Sequence, residues 1–130
     1  MIAKNPRGGT IINISSDLGL ISPDQRIYKT KNSKFEKPVS YSVIKSGLIG
    51  LTKFTSTYWA DKNVRCNCIC PGGIQNKHSK SFLKKINNLI PLGRMANKNE
   101  YNGLLVFLLS DASSYLNGSV ISADGGRTAW

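Results

Sequence analysis

Three short runs of apolar and β-branched residues, each bounded by turn-forming residues, predict three buried strands. They cover residues 9–16, 64–70 and 119–123. The second run is followed by Pro-Gly-Gly and the third by Asp-Gly-Gly. Short apolar runs between turn signals are typical of strands in the interior of a sheet.

The segments between these runs have helical periodicity or none. The longest helix is expected over 41–61, where the apolar residues are Val43, Ile44, Leu48, Leu51, Phe54 and Tyr58. A weaker amphipathic helix is expected over 79–89, and a strongly apolar, closely packed helix over 99–110. Residues 17–40 contain two prolines and little periodicity. They indicate a long loop, and long loops in compact domains are often functional.

Strands that alternate with helices predict an α/β fold with a parallel sheet and right-handed crossovers. A chain of 130 residues has room for one domain. Three strands are few for such a sheet. We therefore interpret residues 1–130 as a single, partial domain.

Composition and hydropathy exclude several classes of protein. Hydrophobic residues make up 40% of the chain and charged residues 19%, as in ordinary globular domains. The chain has no apolar run of the length, about 18 residues, that a membrane span needs. The first nine residues also lack the apolar core of a secretory signal. We expect a cytoplasmic protein with no membrane partner.

The net charge of +11 raises the possibility of a nucleic-acid partner. The lysines, however, are scattered from Lys4 to Lys98, and no aromatic RNA-binding signature accompanies them. A basic nucleic-acid-binding domain is therefore kept as an alternative, and no nucleic-acid partner is expected.

The three cysteines lie at alternate positions of the second predicted strand: Cys66, Cys68 and Cys70. Alternate residues of a strand face the same side. Zinc sites prefer cysteines two to four residues apart on a turn, with a second ligand pair. The only histidine is His78. We interpret the cysteines as buried packing residues and expect no metal.

Candidate chemistry lies at the start of the long helix. Tyr41 and Lys45 are four residues apart, on the same helix face. A nearby ammonium lowers the pKa of a phenol, which suits Tyr41 to proton transfer with a hydroxyl or carbonyl oxygen. Ser16, at the end of the first strand, is placed to orient that oxygen. The same sheet edge carries the loop after the second strand.

The spacing alone is weak evidence, because Tyr58 and Lys62 repeat it. This second pair lies at the far end of the same helix, and Tyr58 continues its apolar stripe. We interpret Tyr58 as a core aromatic residue and Lys62 as a surface lysine.

The chain resembles the short-chain dehydrogenase/reductase family in a series of motifs in the family's order. They are Ile-Ile-Asn-Ile-Ser-Ser at 11–16, Tyr-Ser-Val-Ile-Lys at 41–45, Asn-Val-Arg-Cys-Asn at 63–67, Cys-Pro-Gly-Gly-Ile at 70–74, Pro-Leu-Gly-Arg at 91–94, Phe-Leu-Leu-Ser-Asp at 107–111 and Asp-Gly-Gly at 124–126. The resemblance implies the C-terminal portion of a doubly wound Rossmann fold, with about three parallel strands and flanking helices.

The resemblance also implies hydride transfer between NAD or NADP and a small alcohol or carbonyl substrate. By motif position Tyr41 would be the general acid/base, Lys45 would hold the nicotinamide ribose, and Ser16 would orient the substrate oxygen. The cofactor would also contact Tyr41 and lie along Pro71, Gly72, Gly73 and Ile74. Full-length relatives are expected to be homo-oligomers.

Three departures from the family pattern stand out. Nothing before Thr10 resembles the Gly-rich turn that binds the cofactor pyrophosphate, so we expect an N-terminally truncated domain. Tyr41 follows Ser16 by 25 positions, a longer gap than is usual. The added segment resembles a subgroup linked to surface-sugar and flagellin modification, which makes a sugar derivative a candidate substrate. Asn76 stands where a threonine is common.

The leading hypothesis is the Ser-Tyr-Lys part of an NAD(P)-dependent oxidoreductase that is inactive as this chain alone. The alternative from another class is a non-catalytic fragment or pseudoenzyme that serves as an oligomerisation or interaction module.

Overall fold

A computed structural model describes residues 8–29 and 35–130. The first seven residues and residues 30–34 lie outside the described part. The expectation that no secretory signal opens the chain therefore rests on sequence alone. The same holds for the prediction of a loop at residues 30–34.

The sheet consists of three parallel strands in the order β1-β2-β3. β1 is Gly9–Ile14, β2 is Val64–Pro71 and β3 is Val120–Ala123. Gly9 pairs with Val64, and Cys68 pairs with Val120. The predicted strands and the α/β fold are confirmed, with bounds shifted by one or two residues.

The central strand β2 is covered on both faces. Cys66, Cys68 and Cys70 are fully buried free thiols, and Asn67 and Ile69 between them are buried as well. The Asn67 side chain donates to the Leu116 carbonyl and accepts from the Ser119 amide, which satisfies its polar atoms inside the protein. The prediction of buried cysteines is confirmed.

The helices are α1 (Val39–Tyr58), α2 (Lys80–Asn87) and α3 (Asn102–Leu109). A separate 3₁₀ turn, Ala60–Lys62, follows α1, so the long helix ends three residues earlier than expected. Two more 3₁₀ turns, Asp17–Gly19 and Gln25–Ile27, lie in the predicted loop. None of the helices in the described residues is long and apolar enough to cross a membrane.

The apolar stripe of α1 faces away from the sheet, and the prediction that Tyr58 is a core residue is wrong. Tyr58 is 60% exposed and stacks on Phe54, which is itself exposed. The side of α1 that meets the sheet carries small polar residues, with Thr52 and Ser56 buried. Thr52 Oγ1 accepts a hydrogen bond from Asn13 Nδ2 at 2.9 Å. Lys62 is a surface residue, as predicted, and pairs with Asp61.

The apolar helix α3 is less closely packed than its composition predicts. Leu108 is fully buried, but Val106 and Leu109 are more than 60% exposed. The close packing expected of the whole helix therefore holds for one face only.

Candidate active site

A cavity at the carboxyl end of the sheet brings most of the predicted site residues together. It has a volume of about 530 Å³ and is lined by Ser16 and Tyr41. The loop after β2 lines the same cavity, through Pro71, Gly72, Gly73 and Ile74. The carboxyl ends of parallel strands are where open α/β sheets bind ligands.

Ser16 lies two residues beyond the end of β1, at the start of a 3₁₀ turn. The Ser15 amide continues the sheet by donating to the Ile69 carbonyl at 2.8 Å. Ser16 Oγ accepts from the Leu18 amide at 3.2 Å and donates to Asp17 Oδ1 at 2.8 Å. The side chain of Ser16 is thus held in place on the cavity wall, with only 6% of the residue exposed.

Tyr41 and Lys45 lie in the first turns of α1. Lys45 Nζ donates to the Ile14 carbonyl at 2.9 Å and lies 5.7 Å from the centroid of the Tyr41 ring. Ser15 Oγ donates to the Lys45 carbonyl at 2.7 Å. These bonds attach the helix turn that carries the predicted pair to the strand end that carries Ser16.

A second ammonium lies close to the Tyr41 ring. Lys37 Nζ lies 4.1 Å from the centroid of the Tyr41 ring, closer than Lys45 Nζ. The Lys37 backbone is fixed by the Gln25 side chain, which accepts from its amide and donates to its carbonyl. Sequence reasoning missed Lys37, although its position four residues before Tyr41 mirrors that of Lys45.

A buried ion pair adjoins Ser16. Arg127 Nη1 lies 2.6 Å from Asp17 Oδ2, and the two side chains are 6% and 4% exposed. Both residues line the cavity. Sequence reasoning missed this pair as well, because 110 residues separate its members. The signal available was an acidic residue directly after the predicted serine.

Aromatic side chains form the outer wall of the cavity. Tyr28 lies between Phe35 and Phe82, with ring centroids 5.9 and 5.8 Å away. Burial raises the pKa of Tyr28, so its phenol stays protonated. The wall is attached to α2, because Lys85 Nζ donates to the carbonyls of Arg26 and Lys29.

Ile27 strengthens the attachment of the predicted loop to α2. It is buried against Ile86, Ile90 and Met95. The part of the long loop around Ile27 and Tyr28 is thus packed against the rest of the protein, with Tyr28 on the cavity wall.

The cysteines and the histidine do not form a metal centre. Burial raises the pKa of Cys70 to about 11, which keeps the thiol protonated. Among the described residues, no group of three histidine, cysteine or acidic side chains is placed to hold a metal ion.

Comparison with known proteins identifies the family. A family model described as enoyl-(acyl carrier protein) reductase matches residues 1–128. A short-chain dehydrogenase from Leptospira borgpetersenii, solved with bound NAD+, superposes with a TM-score of 0.87 at 35% identity, over 98% of this chain and 47% of that one. The chain belongs to the short-chain dehydrogenase/reductase family.

Curated relatives in this family carry several activities. The chain is 40% identical to a 3-oxoacyl-(acyl-carrier-protein) reductase from Chlamydia trachomatis, over 92% of this chain and 45% of the relative. It is 36% identical to trans-4-hydroxycyclohexanecarboxylate dehydrogenase from Sinomonas cyclohexanicum, over 98% of this chain and 44% of that relative. It is 33% identical to post-translational flagellin modification protein A from Campylobacter coli, over 95% of this chain and 47% of that relative.

The chain spans about half the length of these short-chain dehydrogenases/reductases. A further dehydrogenase structure, from Agrobacterium tumefaciens with bound NADP, superposes with a TM-score of 0.80 at 31% identity, over 99% of this chain and 50% of that one. The neighbours thus bind a nicotinamide cofactor of either kind. The resemblance inferred from the motifs is confirmed, including its link to flagellin modification.

Proposed function

We propose that this chain supplies the proton-transfer part of an NAD(P)-dependent oxidoreductase acting on an alcohol/carbonyl pair. The observation that carries the proposal is the shared cavity of Ser16 and Tyr41, with Lys45 beside the tyrosine. The substrate oxygen would lie between Ser16 Oγ and Tyr41 Oη. Tyr41 gives that oxygen a proton on reduction and takes it back on oxidation.

The residues present fit a nicotinamide cofactor. An ammonium has three donors, and Lys45 uses one of them on the Ile14 carbonyl, which leaves two for ribose hydroxyls. The loop from Pro71 to Ile74 would lie along the nicotinamide. When bound, the cofactor supplies or accepts the hydride.

Glycine at position 72 of this loop is required by packing within the protein. A Cβ at Gly72 would lie 2.9 Å from the backbone Cα of Asp124. A Cβ at Gly73 would lie 2.6 Å from Cε of Met95, the end of a flexible side chain that can shift. Asn76 uses its side-chain oxygen to accept from the Lys77 amide. We propose no cofactor contact for Asn76.

A sugar derivative is the substrate that we propose. The relationship to the flagellin modification protein supports it, as does the aromatic wall formed by Tyr28, Phe35 and Phe82, since flat rings pack well against the apolar faces of a saturated ring. We further propose a cytoplasmic location and a homo-oligomeric full-length form. Neither the NAD nor the NADP preference is assigned.

The test uses a fusion in which the chain replaces the matched C-terminal half of the Sinomonas dehydrogenase. Turnover is followed as NADH or NADPH formation from trans-4-hydroxycyclohexanecarboxylate. We expect Tyr41→Phe to lower turnover by about 10²–10⁴-fold, the range of general acid/base catalysis. Tyr58→Phe is the matched control, because Tyr58 begins the second Tyr-x-x-x-Lys sequence and lies on the outer face of α1.

The opposite ranking of the two variants would contradict the assignment of Tyr41. A folded fusion that binds both the cofactor and trans-4-hydroxycyclohexanecarboxylate but shows no Tyr41-dependent turnover would contradict the proposed function as a whole and would favour a non-catalytic module.

A further inference from the structure

The Asp17–Arg127 ion pair determines which way the Ser16 hydroxyl points. Arg127 Nη1 is 2.6 Å from Asp17 Oδ2, and Ser16 Oγ is 2.8 Å from Asp17 Oδ1. A carboxylate paired with a guanidinium is ionised and offers acceptor sites only. The single hydroxyl hydrogen of Ser16 is therefore donated to Asp17.

Ser16 is left with acceptor capacity alone. A hydroxyl offers one donor and two acceptor positions. The Leu18 amide, whose shorter hydrogen bond of 2.8 Å goes to Asp17 Oδ1, also donates to Ser16 Oγ at 3.2 Å and occupies one acceptor position there. The remaining one is available to a ligand in the cavity that Ser16 lines.

Because Ser16 Oγ can only accept a hydrogen bond, it interacts differently with the alcohol and the carbonyl forms of a substrate. While Tyr41 holds its own proton, as in the complex with reduced cofactor, an alcohol can donate its O–H to Ser16 Oγ; for oxidation that hydrogen must turn to Tyr41. A carbonyl oxygen is itself an acceptor, so it would meet a second acceptor there. To receive a hydrogen bond from Ser16, a carbonyl must first displace the charge-assisted bond to Asp17.

We propose that Asp17, held by Arg127, is a specificity-determining residue that makes the site bind the alcohol form of its substrate more tightly than the carbonyl form. This inference rests on the proposed function, in which Ser16 and Tyr41 face the substrate oxygen.

The surroundings of Arg127 support a fixed geometry. Asp124 organises the turn that carries Arg127, because its carboxylate accepts from the Gly126 amide, the Thr128 amide and Thr128 Oγ1. A buried ion pair adds little stability over well-packed apolar residues. Its consequence here is the fixed orientation of the carboxylate, and hence of the Ser16 hydroxyl.

Asp17→Asn reverses the hydrogen bond to Ser16 with little change of shape, although the Leu18 amide loses Asp17 Oδ1, its acceptor at 2.8 Å, and keeps only Ser16 Oγ. Arg127 requires an acceptor, so the amide oxygen faces Arg127 and the amide nitrogen faces Ser16. The nitrogen then donates to Ser16 Oγ, and the Ser16 hydrogen becomes available to a carbonyl oxygen. The variant should therefore favour the carbonyl form.

The measurement compares two dead-end complexes of the fusion that cannot react. The probes are trans-4-hydroxycyclohexanecarboxylate bound to the reduced-cofactor complex and 4-oxocyclohexanecarboxylate bound to the oxidised-cofactor complex. Calorimetry gives both Kd values. We expect Asp17→Asn to lower the ratio of the ketone Kd to the alcohol Kd by about tenfold, the effect of one hydrogen bond.

Two controls isolate the role of Asp17. Asp24→Asn makes the same chemical change in a second Asp–Arg pair, whose Arg26 side chain is exposed, and should leave the ratio unchanged. On a Ser16→Ala background, Asp17→Asn should also leave it unchanged, because no hydroxyl remains to reorient.

A second variant covers the case in which Asp17→Asn does not fold. The pair Asp17→Val/Arg127→Met removes both charges and frees the Ser16 hydrogen, so it should shift the ratio in the same direction. An unchanged ratio in a folded variant, or an equal shift without the Ser16 hydroxyl, overturns the inference. If either result is found in a fusion whose turnover depends on Tyr41, the inference about Asp17 fails and the proposed function stands. If Tyr41→Phe does not lower turnover, the proposed function itself is contradicted.

Discussion

Gly19 allows the turn after β1 to lie close to the helix turn that carries Lys45. A Cβ at this position would lie 2.5 Å from Ser15 Oγ and 2.9 Å from both the carbonyl carbon and oxygen of Lys45. Ordinary carbon contacts are about 3.5–4.0 Å, so Gly19→Ala must move the backbone of α1 by roughly half an ångström or more.

Two effects lower the free energy of unfolding in Gly19→Ala. Overpacking of this kind costs about 1–3 kcal/mol. The same shift weakens the hydrogen bond from Ser15 Oγ to the Lys45 carbonyl, worth about 1 kcal/mol. We therefore expect Gly19→Ala to lower the free energy of unfolding of the fusion by roughly 2–4 kcal/mol. Turnover should fall as well, because the turn between Tyr41 and Lys45 moves relative to Ser16.

Gly47→Ala is the matched control. Gly47 lies within α1, and among the described residues a Cβ placed there meets no atom within 4 Å beyond its chain neighbours and the backbone of its own helix. Alanine is favoured over glycine in a helix, so this change should raise the free energy of unfolding by about 0.5–1 kcal/mol. Urea denaturation followed by tryptophan fluorescence measures both variants. Equal stability and equal turnover for the two would refute the close-approach argument.

Three further predictions concern the chain itself. The isolated chain should not bind NAD(H) or NADP(H) usefully, since no Gly-rich pyrophosphate turn accompanies its motifs; micromolar binding in calorimetry would contradict this. The isolated chain should also self-associate, because β1 is the edge strand of the described sheet and exposes main-chain groups. A monodisperse monomer with one cooperative melt in light scattering would contradict that expectation. Finally, Arg94 lowers the pKa of Glu100 to about 2 from 4.5, so the stabilisation from this pair is present above pH 4.5 and is lost as the pH falls toward 2. Melts from pH 6 to 2 should show this loss in the native sequence and not in Glu100→Gln.

The strands and the cavity loop were predictable because their signals are local. The run of residues 64–70 is apolar and bounded by turns, and a central parallel strand is buried on both faces. The Pro-Gly-Gly loop and Ser16 follow strand ends, and the carboxyl edge of a parallel sheet collects such residues.

The orientation of α1 was not predictable from periodicity. This helix has an apolar face and a face of small polar residues that includes Thr52 and Ser56. Hydropathy favours the first as the buried face, but the sheet contacts the second, where Asn13 and Asn117 bond to the helix. Small side chains allow the helix to lie close to the sheet, and only the tertiary structure reveals that choice.

Contacts between residues far apart in the chain were also not predictable from the sequence. The Asp17–Arg127 pair joins residues that no local pattern connects, and its members stand in different motifs. Tyr28, by contrast, lies in a segment that sequence analysis treated as loop, although Ile27 next to it is buried against α2. Aperiodic segments give no signal of which side chain packs inward.

A crystal structure of the fusion with NAD+ and 4-oxocyclohexanecarboxylate tests the central proposal most directly. The proposal predicts the ketone oxygen within hydrogen-bond distance of Tyr41 Oη, next to Ser16, with Lys45 Nζ on the ribose hydroxyls of the nicotinamide end. A ketone oxygen bound by other residues, with Tyr41 and Lys45 contacting neither ligand, would contradict it.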